Sequence, residues 1–255
     1  MALSQLKSTA GMTRAKLCSR ALQDLFCDMS PLQQTLYASA TAVQQGGAAW
    51  DPATAAQSDS LELLGFLRKL CTHPCLALDW RRSDHAAAVH AALPALSGVA
   101  TEAAGDALAR LEHSPKLQAL QQLLLDCGVI AGPSPERDEG CSRGAADAAG
   151  HRVLIFAQLR GTLDLVESTV LAPADTSFVR LDGAVKASER QALVQRFNGD
   201  PTIGVMLLTT AVGSLGLNLT SADTVVFLEH DWNPMKDMQV CALRSGTSAH
   251  ATTLG

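Results

Sequence analysis

A chain of 255 residues with 47% apolar residues can bury one large core or two small ones, which excludes a disordered polymer. Its formal net charge of −5 excludes a protein that coats nucleic acid by neutralising many phosphates, so any polynucleotide contact must be local. No apolar run reaches the ~18 residues of a membrane helix, and seven irregularly spaced cysteines argue against a disulfide framework and fit a soluble protein of a reducing, intracellular compartment.

The first half reads as helices separated by loose stretches. In "SPLQQTLYASA" (30–40) Ser30 is placed to cap and Pro31 to open a helix. "LELLGFLRKLCTH" (61–73) predicts a second helix ended by Pro74, and "SPKLQALQQLLLDCG" (114–128) a third, capped by Ser114 and stopped at Gly128. Residues 39–60 and 84–110 are rich in small side chains and read as loose insertions, and 130–151 as a Pro/Gly/Asp linker. His73 precedes Pro74 at a helix end. It reads as a capping or packing residue, because no nucleophile–base arrangement can be built around it. Cys71, His73 and Cys75 lack the second Cys/His pair of a tetrahedral zinc site, so no metal is expected there.

The second half changes period. "RVLIFAQL" (152–159), "SFVRL" (177–181), "IGVMLLT" (203–209) and "TVVFLE" (224–229) predict four buried strands. "GTLDLVESTVL" (161–171) and "ASERQALVQRFN" (187–198) predict helices between them. Strands alternating with helices imply an α/β fold with a mainly parallel sheet. In such sheets ligands meet the loops at the carboxyl ends of the strands, where Gln158, Asp182, Gly183 and the loop Gly213–Asn218 fall. That loop is neither a Walker A sequence nor G-x-G-x-x-G. Taken alone, Gly213 and Gly216 only permit a tight strand-to-helix turn.

The ordered set "VLIFAQ" (153–158), "RLDGAVKASERQALVQRFN" (180–198), "LLTTAVGSLGLNLTSADTVVF" (207–227) and "WNP" (232–234) resembles the second RecA-like lobe of SWI/SNF-type DNA-translocating ATPases. Upstream, "DLFCDMSPLQQTLY", "LRKLCTHP" and "SPKLQALQQLLLDCG" look like the family's region between its two motor lobes. Within the family, "LLLDCG", "FNGDPTIGVMLLTT" and "FLEHDWNPMKDMQ" look most like the branch that removes TATA-box-binding protein from DNA with ATP. The resemblance implies four segments: 1–129, a helical inter-lobe region with Ala-rich insertions; 130–151, a flexible linker; 152–239, the second lobe; 240–255, a divergent tail. It also implies a nuclear protein whose partners are duplex DNA, TATA-box-binding protein and a first RecA-like lobe, while the lack of a long apolar run leads us to expect no membrane contact.

By resemblance, Gly213, Gly216, Leu217 and Asn218 belong to the loop facing the nucleotide cleft. Gln158, Arg180, Asp182, Gly183, Thr209 and Thr210 are the DNA-facing candidates, with neutral donors and single cations positioning a phosphate. Asp231, Trp232, Asn233 and Pro234 form a structural motif in which the indole is a packing anchor. ATP and Mg²⁺ are the cofactors of the family motor, in which the first lobe supplies the phosphate loop and metal-holding acids. This chain contains no Walker A lysine and no D-E-A/G-H box, so it is expected to bind neither tightly by itself.

Three departures from the pattern matter. Ser214 stands where the family has a glycine. After Gln239 the chain reads "VCALRSGTSAHATTLG" instead of an Asp-Arg-x-His-Arg-x-Gly-Gln helix, whose arginines reach the phosphates and are worth about 10³ to 10⁵ in rate. The strands that follow that helix in the family are also absent from the pattern, which predicts an uncovered sheet edge. The expected activity is therefore that of a portion of a DNA translocase, ATPase-inactive by itself, with a non-catalytic DNA- or partner-binding module derived from such a motor as the alternative.

Overall fold

The computed structural model describes residues 21–44, 60–78, 101–130, 151–213, 217–231, 233, 235 and 250–254. A short strand β1 (Ala21–Leu25) leads into helices α1 (Pro31–Gln44), α2 (Ser60–Thr72), α3 (Pro74–Ala77), α4 (Thr101–Leu108) and α5 (Pro115–Asp126). Strand β2 (Val153–Ala157) then alternates with α6 (Arg160–Val166), β3 (Phe178–Leu181), α7 (Ala187–Gly199), β4 (Val205–Thr209), α8 (Thr210–Gly213), β5 (Thr224–Phe227) and β6 (His250–Leu254).

The helix boundaries follow from their ends. Ser30 and Gln33 form a reciprocal capping box: the Gln33 amide donates to Ser30 Oγ at 3.3 Å and the Ser30 amide to Gln33 Oε1 at 2.9 Å. Gln33 Nε2 then reaches across to the carbonyl of Leu70 at 2.8 Å, tying α1 to the end of α2. Ser114 Oγ accepts from the Leu117 amide at 3.2 Å and donates to the Thr72 carbonyl at 2.7 Å, so one hydroxyl caps α5 and docks α2. At the far end of α5, Gly128 takes φ 68°. Its amide donates to Leu125 O and the Val129 amide to Leu124 O, the double bond of a Schellman stop that glycine enters without strain.

The sheet has six strands in the order β1-β6-β5-β2-β4-β3, and every adjacent pair is parallel. Central β2 is buried along its whole length, as expected for a parallel strand covered on both faces. Val153, Ile155 and Ala157 face one core with Leu117, Leu120 and Leu124 of α5 and Leu163 and Val166 of α6. Leu154 and Phe156 face the other, with Val194 and Phe197 of α7 and Val225 and Phe227 of β5. The rings of Phe156 and Phe227 stack with centroids 5.5 Å apart, and burying each side chain of this size contributes about 1.5–3 kcal/mol. A third cluster of Leu32, Leu36, Leu70, Leu78 and Leu108 holds the helical region together.

The α/β fold with four parallel strands between residues 152 and 229 is as the sequence predicts. Two expectations are corrected. The sheet edge beside β5 is not uncovered: β6, from the tail, pairs with β5 on one side and with β1 on the other. Neither stretch of small side chains is wholly loose: α1 carries on through residues 39–44, and Thr101–Leu108 is a helix whose Leu108 is fully buried. Residues 45–59, 79–100 and 131–150, which hold the rest of the insertions and nearly all of the linker, lie outside the described residues.

Candidate functional site

Parallel register brings the predicted residues to one edge. Ala157 pairs with Thr209 and Leu181 with Leu208, so Gln158, Asp182, Gly183, Thr209 and Thr210 all sit at the carboxyl ends of neighbouring strands. Their exposure differs. Gly183 is exposed and Gln158 half-buried, whereas Thr209 and Thr210 are buried and present little to a ligand. Gly213 is buried at the end of α8, Leu217 packs on the second core, and exposed Asn218 lends its carbonyl to Asn198 Nδ2 at 2.9 Å. Gly216 and Ser214 lie outside the described residues, as do Trp232 and Pro234. Asp231 and Asn233 each accept an amide two residues on, from Asn233 at 2.9 Å and Met235 at 3.0 Å, a pair of Asx turns that bends the chain after β5.

Arg180 and Asp182 form an ion cluster rather than two separate contacts. Arg180 Nη1 donates to Asp164 Oδ1 at 2.6 Å and Glu167 Oε2 at 3.2 Å, and Nη2 lies 3.0 Å from Asp182 Oδ2. Burial opposes its charge, but the hydrogen bonds to Asp164, Asp182 and Glu167 outweigh it and hold the guanidinium above its ordinary pKa. For Asp182 burial would raise the pKa. The Ala184 amide at 2.9 Å and the two guanidiniums of Arg180 and Arg160 reverse that and keep the carboxyl below its ordinary value. Asp182 is therefore a buried anchor for the turn at Gly183, and Arg180 is committed to three carboxylates.

A group that the sequence did not single out lies directly beside Gln158. Glu229 is 4% exposed at the end of β5. Its Oε2 accepts the amides of Gln158 at 2.9 Å and Leu159 at 3.2 Å, and its Oε1 accepts the hydroxyls of Thr162 at 2.6 Å and Thr72 at 3.4 Å. Helix α6 has Leu159 at its N-cap, with no side-chain cap bond of its own. A carboxylate from another strand takes over that role, where amides and helix dipole favour negative charge. The only sequence signal was an acid closing an apolar strand.

His73 is fully buried and caps α3: its Nδ1 accepts the Cys75 amide at 3.1 Å and its Nε2 donates to Arg110 O at 3.3 Å. Both ring nitrogens are engaged, which fixes the tautomer and confirms the capping role. Burial lowers its pKa to about 4, with the hydrogen bond to Arg110 opposing and His113 assisting. Cys27, Cys71, Cys75 and Cys127 are free thiols. Among the described residues no group of three or more His, Cys, Asp or Glu could hold a metal ion, and no helix is long and apolar enough to cross a membrane.

Residues 140–244 match the helicase conserved C-terminal domain. The chain is 41% identical over 240 residues to TATA-binding protein-associated factor 172 of Homo sapiens, covering 86% of this chain. It is 40% identical over 252 residues to TATA-binding protein-associated factor BTAF1 of Arabidopsis thaliana, covering 92%. It spans 12% of the length of each. Among solved structures, the C-terminal part of the Fun30 ATPase domain superposes with a TM-score of 0.67 at 22% identity, over 94% of this chain and 86% of that one. The Sulfolobus solfataricus SWI2/SNF2 ATPase core in complex with dsDNA superposes with 0.61 at 17%, over 92% and 41%. Residues 140–244 thus form a helicase conserved C-terminal domain with a RecA-like fold, with SWI2/SNF2 ATPases as structural neighbours and the TATA-binding protein-associated factors as relatives in sequence.

Proposed function

We propose that this chain is the second motor lobe, with its inter-lobe helices, of a nuclear ATP-dependent translocase that tracks along duplex DNA and strips TATA-box-binding protein from it. The observation that carries the reading is identity of about two residues in five with TATA-binding protein-associated factors across both the helical region and the lobe. We divide the chain accordingly into a helical inter-lobe region (1–129), a linker (130–151), the second lobe (152–239) and a tail (240–255).

The residues present do not by themselves fit ATP and Mg²⁺. No phosphate-cradling sequence with its lysine occurs in the chain, and among the described residues no group of three or more His, Cys, Asp or Glu is arranged to hold a metal ion. Phosphoryl transfer rests on positioning and charge stabilisation. Both await the first lobe and an arginine helix. On the DNA side, exposed Gly183 and the Gln158 amide supply neutral backbone-positioning groups, while the Asp182 carboxylate holds the turn.

Phosphate release, with and without duplex DNA, tests this in four proteins. They are the chain itself, the chain with a relative's first lobe in trans, the chain with residues 240–255 replaced by the Asp-Arg-x-His-Arg-x-Gly-Gln continuation, and that variant with the first lobe. DNA-stimulated turnover is expected only from the last, which should also displace TATA-box-binding protein from a labelled duplex. Turnover by the unmodified chain alone would overturn the reading.

A further inference from the structure

Three consecutive residues immediately after β5 are each gripped by the helical region. Leu228 O accepts Lys116 Nζ of α5 at 3.3 Å, the single hydroxyl proton of Thr72 on α2 is shared between Glu229 Oε1 at 3.4 Å and Arg68 O at 3.2 Å, and His230 O accepts a guanidinium N–H of Arg68, one turn earlier on α2. The same residues hold both ends of Gln158. Glu229 takes its backbone amide, and His230 O takes its side-chain Nε2 at 3.0 Å. Gln158 therefore has no direct bond to α2 or α5 among these contacts, yet all of its anchors are shared with them. Lys116 is itself largely desolvated, which lowers its pKa, while Glu229 opposes that shift.

We propose that Glu229 is a positioning residue that couples the inter-lobe helices to the Gln158 turn, so that displacement of α2 is felt at residues 158–162. The functional consequence rests on reading Gln158 as DNA-facing; the coupling itself does not. One carboxylate joins the two sides: Oε2 is given wholly to the turn, and Oε1 is shared between the hydroxyls of Thr162 on α6 and Thr72 on α2. A buried carboxylate that loses one donor must re-aim toward those remaining. That is how a change at Thr72 reaches amides it does not touch. Glutamate length is part of the device, because aspartate, one methylene shorter, cannot reach both sides from the same backbone position.

Hydrogen exchange of the whole chain tests the coupling, with Thr72→Val as the mild, near-isosteric perturbation and Glu229→Asp as the direct one. Thr72→Val should speed exchange of the peptide covering 158–162 about five- to thirtyfold, while the β4 peptide 205–208 stays unchanged. Glu229→Asp should speed both 158–162 and 68–73. A merely structural role for Thr72 would loosen α2 and leave 158–162 as it was, and that result would overturn the proposal. Gln158→Ala, measured as duplex-DNA affinity of the chain, separates the two readings. If affinity is unchanged while Thr72→Val still loosens 158–162, the coupling stands and the DNA-facing assignment of Gln158 falls.

Discussion

Acidifying the solution from about pH 7.5 to about pH 5 should cost this fold about 2 kcal/mol through one side chain, His73. The imidazole is fully buried and its pKa falls from 6.5 to about 4. Between those values the unfolded chain takes up a proton that the native protein refuses. Stability is thus intact above pH 6.5 and is lost as the pH drops through the window toward 4. The linkage integral over that pH step gives the ~2 kcal/mol, the full window about 3.4 kcal/mol. Urea unfolding followed by circular dichroism reads this as a midpoint lowered by about 0.7–1 M, for m of about 2–3 kcal/mol/M. His73→Asn isolates the effect. Asparagine keeps an N-cap acceptor for the Cys75 amide but does not titrate. It leaves the ring's volume empty, so the variant should be about 1–2 kcal/mol less stable at pH 7.5, and the two proteins should converge near pH 5. Asp182 and Asp200, both held below the ordinary carboxylate pKa, contribute only at lower pH. Parallel loss of stability in wild type and variant would refute the reasoning.

Gly128→Ala should destabilise by about 1 kcal/mol because it forces a side chain to φ 68°, whereas Gly183→Ala, with nothing within 4 Å of the added Cβ, should be close to neutral; calorimetry of both variants checks the contrast. Thr252→Pro removes an amide and a buried side chain from β6, which lies between β1 and β5, and should cost about 3 kcal/mol or more and open the Leu25–Cys27 segment to limited proteolysis. With a net charge of −5 and Arg180 engaged by three carboxylates, the chain should bind duplex DNA weakly with a shallow salt slope, and submicromolar affinity in a fluorescence titration at physiological salt would contradict this.

The lobe was legible because its signals are local. Apolar runs such as 153–157 and 205–209 are buried on both faces, and Ser30, Ser114 and Gly128 mark helix ends through bonds to residues within a few positions. Strands β1 and β6 were not legible. "ALQDL" and "HATTL" carry no strong strand pattern, and each is extended because the other is beside it. The node at Glu229 was hidden for the same reason, its donors lying 67 to 157 positions away. Arg180 was legible as a charge but not as a paired one. Asp182, two residues along the strand, could have been anticipated on the same face, while Asp164 and Glu167, three apart on the preceding helical segment, reach it only through the fold.

The pairing of Ala21 with His250 sets an order of events during synthesis. At ~5–20 residues per second, β6 becomes available about 10–45 s after β1 has been made. Through that interval β1 has no ladder to join, since β6 is its only neighbour in the described sheet, and the adjoining Phe26, 87% exposed even in the finished fold, stays in solvent beside it. Strands β2 to β5 and their helices form a contiguous block that can close on itself meanwhile. Of the six described strands, β1 is therefore made first and placed last, and a chaperone holding the nascent chain would be expected to dwell on residues 21–27.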